Sequence, residues 1–261
     1  MTQETQKLLL STVEGLQGKI GFYAHCTTTG ETLAIHENEP LMAASVIKLT
    51  IMAEAFRRFC EGTLDRSAEV RIRPSDKLPS CGALTYLHDG LTVTVLDLVT
   101  LMIILSDNTA TNLLIDLLGA DAINRTIGEM GLTGTRLNRK LFMPELSRQG
   151  IENYVTATDM GTLLEMLTEG KLWSKAASAE MLGILKNQRL NGKLPFYLHS
   201  AGIPVAHKTG EDDGITHDVG VIFGQETWIV CFLSNETDVP DTERAMQDVA
   251  AWLAGVQEAR A

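Results

Sequence analysis

Ser45 and Lys48 lie three residues apart and could together form an activated nucleophile. On a helix, residues three apart lie on the same face, so the Lys48 amine can reach the Ser45 hydroxyl. A serine needs such a base nearby to become a nucleophile. If Ser45 opens the helix, it also lies at the positive end of the backbone dipole, which favours a developing negative charge.

The alternative reading of this pair is a helix cap followed by a solvated charge, because short motifs often match by chance. The surrounding residues argue against that reading. Lys48 stands in an apolar run that includes Val46, Ile47 and Leu49, and a buried cation without a role is costly. No other Ser-x-x-Lys occurs in the sequence.

Two further motifs carry groups that could act with this pair. Ser106-Asp107-Asn108 follows the apolar run 95–105, and on its own it would be a helix cap. Lys208-Thr209-Gly210 ends a strand-like stretch, and on its own it would be an edge-strand lysine beside a turn glycine.

The composition predicts a globular protein and excludes several classes of partner. The chain has 261 residues, 44% of them apolar, and a net charge of -11. A nucleic acid or an anionic membrane would need a basic face, so neither is expected as a partner. The chain has no run of about 18 apolar residues and no basic, apolar leader. We expect a soluble monomer, cytoplasmic as written, or periplasmic or secreted if a leader was removed.

The cysteines and histidines do not suggest a metal site. The four cysteines lack metal-type spacing, and no Cys/His cluster is present. We therefore expect no metal and no cofactor. Since Cys26 and Cys231 lie in apolar strand-like runs, we expect the cysteines to be thiols, although sequence alone permits three full pairings.

The order of predicted elements favours an α/β (α+β) fold with an antiparallel sheet built from both termini. A helix and a hairpin come first, a mostly helical block follows, and strands and a closing helix end the chain. The simplest arrangement is a sheet lobe of residues 1–44 and 195–261, flanked by the terminal helices, with an all-helical lobe of residues 45–194 inserted. A functional site is expected where the lobes meet. The predicted helices are 2–16, 45–61, 95–105, 109–118, 120–130, 158–168, 174–186 and 241–256, and the predicted strands are 20–26, 31–35, 205–209, 217–223 and 228–233.

Taken together and in this order, the three motifs resemble the motif set of class A β-lactamases and penicillin-binding proteins. The second motif follows the first by 61 residues (106 minus 45), and the third follows by a further 102 (208 minus 106). The stretches 106–114 and 135–139 are similar to class A segments as well. The resemblance extends from about residue 20 to residue 257 and implies the β-lactamase and transpeptidase fold.

This resemblance implies a role for each motif residue. Ser45 would attack the carbonyl of a β-lactam or an acyl peptide, and Lys48 would take its proton. The backbone N–H groups of Ser45 and Glu211 would form the oxyanion hole. Ser106 would relay a proton to the leaving nitrogen. The substrate-binding residues would be Asn108, which holds the substrate amide, Lys208 and Thr209, which bind its carboxylate, and Gly210.

One residue that the resemblance would require is missing. Class A enzymes have a glutamate in the loop after the helical block, and it positions the water that removes the acyl group. Leu141 stands at that place, and a gapped reading puts Met143 there. Glu145 could reach the site from nearby only with a large shift, since general-base geometry is demanding. Acylation is therefore predicted and deacylation is not.

Three functions remain open at this point. The first is a β-lactamase-like serine hydrolase acylated at Ser45, with slow deacylation. The second is a penicillin-binding D-Ala-D-Ala carboxypeptidase, transpeptidase or esterase-like hydrolase, which the absent glutamate favours. The third is a sensor that is acylated once. The persistence of the acyl group distinguishes the three.

Overall fold

A five-stranded antiparallel sheet carries the fold, and the computed structural model describes residues 1–79 and 81–256. In chain order, the strands are β1 (Lys19–Cys26), β2 (Thr32–Ile35), β3 (Leu41–Met42), β4 (Glu69–Arg71), β5 (Thr92–Thr94), β6 (Tyr154–Val155), β7 (Val205–Asp212), β8 (Ile215–Phe223) and β9 (Thr227–Asn235). The large sheet has the order β2-β1-β9-β8-β7, so an N-terminal strand pairs with the last strand of the chain. The pairs β3–β6 and β4–β5 form two small separate sheets.

The helices lie on both sides of this sheet. They are α1 (Gln3–Glu14), α2 (Lys48–Glu61), α3 (Val95–Ile104), α4 (Asn108–Leu118), α5 (Ala120–Glu129), α6 (Pro144–Ser147), α7 (Ala157–Thr168), α8 (Lys175–Lys186), α9 (Phe196–Ser200) and α10 (Val239–Leu253). Within the described residues, none of them is long and apolar enough to cross a membrane.

Alternation along the central strands gives the sheet two apolar faces. On β8, Val219 and Val221 belong to the core shared with the inserted helices, whereas Ile222 belongs to the core shared with α1 and α10. Successive strand residues point to opposite faces, which explains why β8 and β9 are buried almost throughout. The sheet therefore separates the helical block from the terminal helices.

The predicted fold is confirmed, with differences at the ends of elements. The hairpin β7–β8 extends to a two-residue turn, Asp213-Gly214, because Gly214 adopts a φ of 63° that suits such a turn. The strands β3 to β6 and the helices α6 and α9 were not predicted, since segments of two to five residues are too short to show a period. The division into two lobes stays a prediction.

Candidate active site

Ser45 lies in a tight 3-10 turn, Ala44–Ile47, and not in the α-helix that was predicted from residue 45. Helix α2 begins only at Lys48. The turn begins at Ala44, whose φ of 41° is left-handed and strained for a residue with a side chain. Val46 and Ile47 are fully buried and anchor the turn in the core. Ser45 is left partly exposed at a cleft of about 650 Å³.

The hydrogen bonds of Lys48 go to Ser106 and Asn108. Its side chain is fully buried, and Nζ lies 2.7 Å from Ser106 O, 3.0 Å from Ser106 Oγ and 2.8 Å from Asn108 Oδ1. Among the described residues, no hydrogen bond joins Lys48 to Ser45. The three acceptors on Ser106 and Asn108 match the three donors of a lysine ammonium.

Ser106 is shared between two buried amines. Lys48 Nζ lies 3.0 Å and Lys208 Nζ 3.1 Å from Ser106 Oγ. The backbone of Ser106 has a φ of 54°, which is left-handed and strained for serine. Such strain costs about 1–3 kcal/mol and persists only where the surroundings enforce it. The hydrogen bond from Lys48 to Ser106 O is one such constraint.

The Asp107 carboxylate, next to the strained Ser106, is hydrogen-bonded to three backbone N–H groups. Its Oδ1 accepts from Ala110 N at 2.9 Å as the cap of α4, and its Oδ2 accepts from Ala83 N at 2.7 Å and Leu84 N at 2.9 Å. Gly82 packs so closely on Asp107 that an added Cβ would lie 2.3 Å from its carboxyl carbon. Asp107 thus joins the loop that forms one wall of the cleft to the turn that carries Ser106.

Burial shifts the pKa of both lysines in the direction that a general base requires. Burial, and then the nearby Lys208 cation, lower the pKa of Lys48 well below its usual value. Burial lowers the pKa of Lys208 to about 7; Asp218 opposes this and Lys193 adds to it. A neutral Lys208 is therefore accessible near neutral pH, and the lowered pKa of Lys48 favours the neutral amine that can accept a proton.

The lowered pKa of Lys208 predicts a pH dependence of stability. In the unfolded chain, Lys208 keeps its proton up to its ordinary pKa of 10.5, whereas the folded protein releases it above a pKa of about 7. The unfolded state therefore binds more protons between these values, and stability rises with pH there. Between pH 7 and 9, we expect the wild type to gain about 2 kcal/mol in free energy of unfolding relative to Lys208→Met.

Urea unfolding of both proteins at pH 7, 8 and 9 measures this difference. Parallel changes with pH in the two proteins would show that Lys208 keeps its proton when the chain is folded.

The segment after Lys208 brings β7 against the turn of Ser45. A Cβ added to Gly210 would lie 3.2 Å from Val46 Cγ2 and 3.3 Å from Ala44 Cβ, so a side chain there would force these neighbours to shift. The next residue, Glu211, lines the cleft together with Ser45. Thr209 is only 2% exposed, and neither it nor Gly210 lines the cleft. The substrate-binding roles of Thr209 and Gly210 stay predictions.

The neighbouring histidines serve the framework of the site. His217 Nε2 donates to Met42 O at 2.8 Å, and Ser234 N lies 3.0 Å from His217 Nδ1. Burial lowers the pKa of His217 to about 4, which keeps the ring neutral in this bridge. His207 faces the other side of the sheet, where its Nδ1 lies 2.8 Å from Asp218 Oδ1. His217 and Asp218 thus point to opposite faces, as strand alternation predicts.

Leu141 lines the cleft at the position where a deacylating glutamate was expected. Its backbone is held by one side chain: Leu141 N donates to Asn112 Oδ1 and Asn112 Nδ2 donates to Leu141 O, both at 2.9 Å. The half-buried Leu141 side chain packs on the main core. An apolar side chain in a backbone held this firmly can neither accept a proton nor orient water.

Neither carboxylate of the same loop replaces that base. Glu145 is exposed on α6 and does not line the cleft. Glu152 does line it, but Arg139 Nε donates to its Oε2 at 3.1 Å, and Ser147 Oγ donates to its Oε1. Because these two donors occupy both of its oxygens, the Glu152 carboxylate is engaged within the loop and is not directed at a water in the cleft. No sequence pattern indicated Glu152 or its partner.

The antiparallel sheet with its helical block, together with Ser45 at the cleft and the hydrogen-bonded group of Lys48, Ser106 and Lys208, defines the class of penicillin-recognising serine hydrolases. A profile of the β-lactamase enzyme family matches residues 2–255. The chain therefore belongs to this family.

Relatives and solved structures agree with this assignment. The β-lactamase VEB-1 of Pseudomonas aeruginosa is 26% identical over 95% of this chain and 89% of its own. A β-lactamase structure from Sphaerobacter thermophilus is 32% identical, covers 99% of this chain and 100% of its own, and superposes with a TM-score of 0.88. The structure of PBP-A is 25% identical, covers 97% of this chain and 95% of its own, and superposes with a TM-score of 0.85. A leucine-to-glutamate variant of PBP-A, also 25% identical over 97% and 95% with a TM-score of 0.84, is an acyl-enzyme complex with penicillin G.

Proposed function

We propose that this protein is a β-lactamase-like serine hydrolase that is acylated at Ser45 by β-lactams and releases the acyl group slowly. The observation that carries the proposal is the pairing of a complete acylation cluster with an apolar residue, Leu141, at the place of the missing base. Ser45 lies at the cleft, and Lys48, Ser106 and Lys208 lie behind it in one hydrogen-bonded group.

The acylation step follows from these contacts. Ser45 Oγ attacks the β-lactam carbonyl carbon, and its proton passes to neutral Lys48 once the amine turns from Ser106 towards Ser45. The C–N bond of the ring then breaks, and the ring nitrogen takes a proton through Ser106, which two amines contact. An ester on Ser45 remains. The backbone N–H groups of Ser45 and Glu211 stabilise the negative oxygen, each such donor being worth about 3 kcal/mol.

The Lys208 ammonium and Asn108 hold the substrate in this scheme. Lys208 supplies positive charge behind Ser106, and a carboxylate on the substrate would be drawn towards it. That Asn108 lines the cleft supports a role for it in binding the substrate amide. The penicillin adduct of the similar PBP-A variant supports a β-lactam as the acyl donor here.

Hydrolysis of the ester needs a base that orients water, and Leu141 does not provide one. We expect that incubation with benzylpenicillin gives an intact-mass adduct on the wild type that persists after excess drug is removed. Rapid hydrolysis of nitrocefin would contradict slow deacylation, and the absence of an adduct at every time point, in a protein that does not hydrolyse nitrocefin, would contradict the nucleophile assignment.

Introducing a carboxylate at residue 141 should restore the missing step. We expect the adduct of Leu141→Glu to disappear at least about ten-fold faster than that of the wild type, since general-base catalysis contributes about 10²–10⁴-fold when well placed. Leu141→Gln is the matched control, because it has the same length and no basic oxygen, and its adduct should persist. Equal lifetimes in the three proteins would refute the role assigned to Leu141.

A second function is favoured by the same residue. A carboxypeptidase or transpeptidase acting on peptides that end in D-Ala-D-Ala would also be acylated at Ser45. The similarity of this chain to PBP-A supports this second function. Turnover of such a peptide, together with a persistent penicillin adduct, would assign the protein to this second function.

A further inference from the structure

Lys193 is a buried lysine next to the candidate active site, and the acylation scheme gives it no role. Its side chain is 3% exposed, and it lies in the segment between α8 and β7. Its Nζ donates to Gly210 O and to His217 O, both at 3.2 Å, and forms ion pairs with Glu211 at 3.0 Å and Glu243 at 3.6 Å. Burying a lysine is costly unless its contacts require the charge.

The Gly210 carbonyl belongs to the same peptide unit as the Glu211 N–H. A peptide unit is planar and trans, so its N–H and C=O point in opposite directions, and holding the oxygen fixes the direction of the N–H. Strand β7 is at the edge of the sheet, where backbone groups that point outward have no neighbouring strand. Lys193 therefore binds the carbonyl end of a peptide unit whose N–H end belongs to Glu211, a residue that lines the cleft.

A cation on the carbonyl oxygen also polarises the peptide. Hydrogen bonds in a chain strengthen one another in a low-dielectric interior, so a charged donor at Gly210 O makes the Glu211 N–H a stronger donor. We propose that Lys193 is a positioning residue for the oxyanion hole, which orients and polarises the Gly210–Glu211 peptide. This inference rests on the proposed acylation of Ser45 and on the role of the Glu211 N–H in it.

The segment around Lys193 is docked by other contacts, so removing the charge should leave the fold intact. Leu194 N donates to Asp218 Oδ2 at 3.1 Å, and the Leu194 side chain is fully buried. Asn191 Oδ1 lies 3.0 Å from His207 Nε2. These contacts place the segment on β7 and β8 without the Lys193 amine.

The test compares acyl-enzymes of the wild type with two neutral variants, Lys193→Met and Lys193→Gln. Methionine keeps the buried chain without a donor, and glutamine is one atom shorter and lacks the charge. Circular dichroism and thermal unfolding establish that each variant is folded. With two variants, the test does not depend on the folding of either.

The readout is the infrared stretching band of the ester carbonyl in the benzylpenicilloyl adduct, made with a ¹³C-labelled carbonyl. A weaker oxyanion hole shifts this band to higher wavenumber. We expect that shift in both neutral variants. We also expect an acylation rate about ten-fold lower, a smaller loss than the roughly 10²–10³-fold that follows removal of a whole oxyanion-hole donor. The rate alone would not decide, because Lys193 also lowers the pKa of Lys208. The ester band separates the two effects.

Two further variants complete the experiment. Lys193→Arg keeps a cationic donor and should return the band and the rate towards those of the wild type. Glu243→Gln removes one ion pair of Lys193 but leaves its bond to Gly210 O, so its band should match the wild type. An unchanged band in a folded neutral variant overturns the inference, whereas absence of any adduct on the wild type, without hydrolysis of the drug, would instead overturn the proposed acylation.

Discussion

Replacing Ser45 with alanine should abolish the penicillin adduct completely. The Ser45 hydroxyl is the only group of the acylation cluster that lies at the cleft and can form an ester. Lys48 and Lys208 are fully buried and Ser106 is 3% exposed, so none of them can take over as nucleophile. Intact-mass spectrometry after incubation with benzylpenicillin measures the result.

Ser147→Ala is the matched control for this experiment. Ser147 lines the same cleft, and its hydroxyl donates to Glu152. We expect Ser147→Ala to form the adduct as the wild type does. An adduct of unchanged mass on Ser45→Ala would place the nucleophile elsewhere and would remove the basis of the proposed function.

Replacing Lys48 with methionine should lower the acylation rate by about 10²–10⁴-fold, the usual contribution of a general base. The Met side chain fills the same buried volume, but it cannot accept the Ser45 proton. In the wild type, the rate should fall as the pH drops through the lowered pKa of Lys48, because only the neutral amine acts as base. In Lys48→Met, this acid-side limb should disappear.

Stopped-flow acylation with nitrocefin between pH 5 and 9 measures both effects. Lys140→Met is the control, because Lys140 lies on the loop beside Leu141 and pairs with Asp116 at the surface. Its rate and pH profile should match the wild type. If Lys48→Met keeps both the rate and the acid-side limb, the proton goes to another group, and Ser106 with Lys208 would be the next candidate.

Local periodicity was enough to predict the elements that carry two of the three motifs. The Ser106 turn follows a helix, and Lys208 lies on a strand, because an apolar run and a β-branched stretch indicate those elements directly. The spacing also indicated that Lys48 can reach Ser45, whereas the hydrogen bonds of Lys48 go to Ser106 and Asn108. Spacing gives reach on an ideal helix, but here a 3-10 turn precedes α2.

The supporting residues could not be predicted, since their partners are distant in sequence. Asn112 is hydrogen-bonded to the Leu141 backbone, 29 residues away in sequence. Lys193 donates to Gly210 O, 17 residues away, and to His217 O, 24 residues away. Each of these side chains is an ordinary polar residue until the fold brings a particular backbone group to it. Asp107 is an intermediate case: its capping role was predictable, whereas its hold on Ala83 and Leu84 was not.

The pairing of β1 with β9 affects how the protein folds during its synthesis on the ribosome. Chain growth delivers the Ser45 turn early, but Lys208 and Glu211 reach it only when β7 and β8 join a sheet that β9 connects to β1. A nascent chain that ends before about residue 235 cannot close that sheet. Under the proposed function, we therefore expect acylation of Ser45 only in chains long enough to include β9.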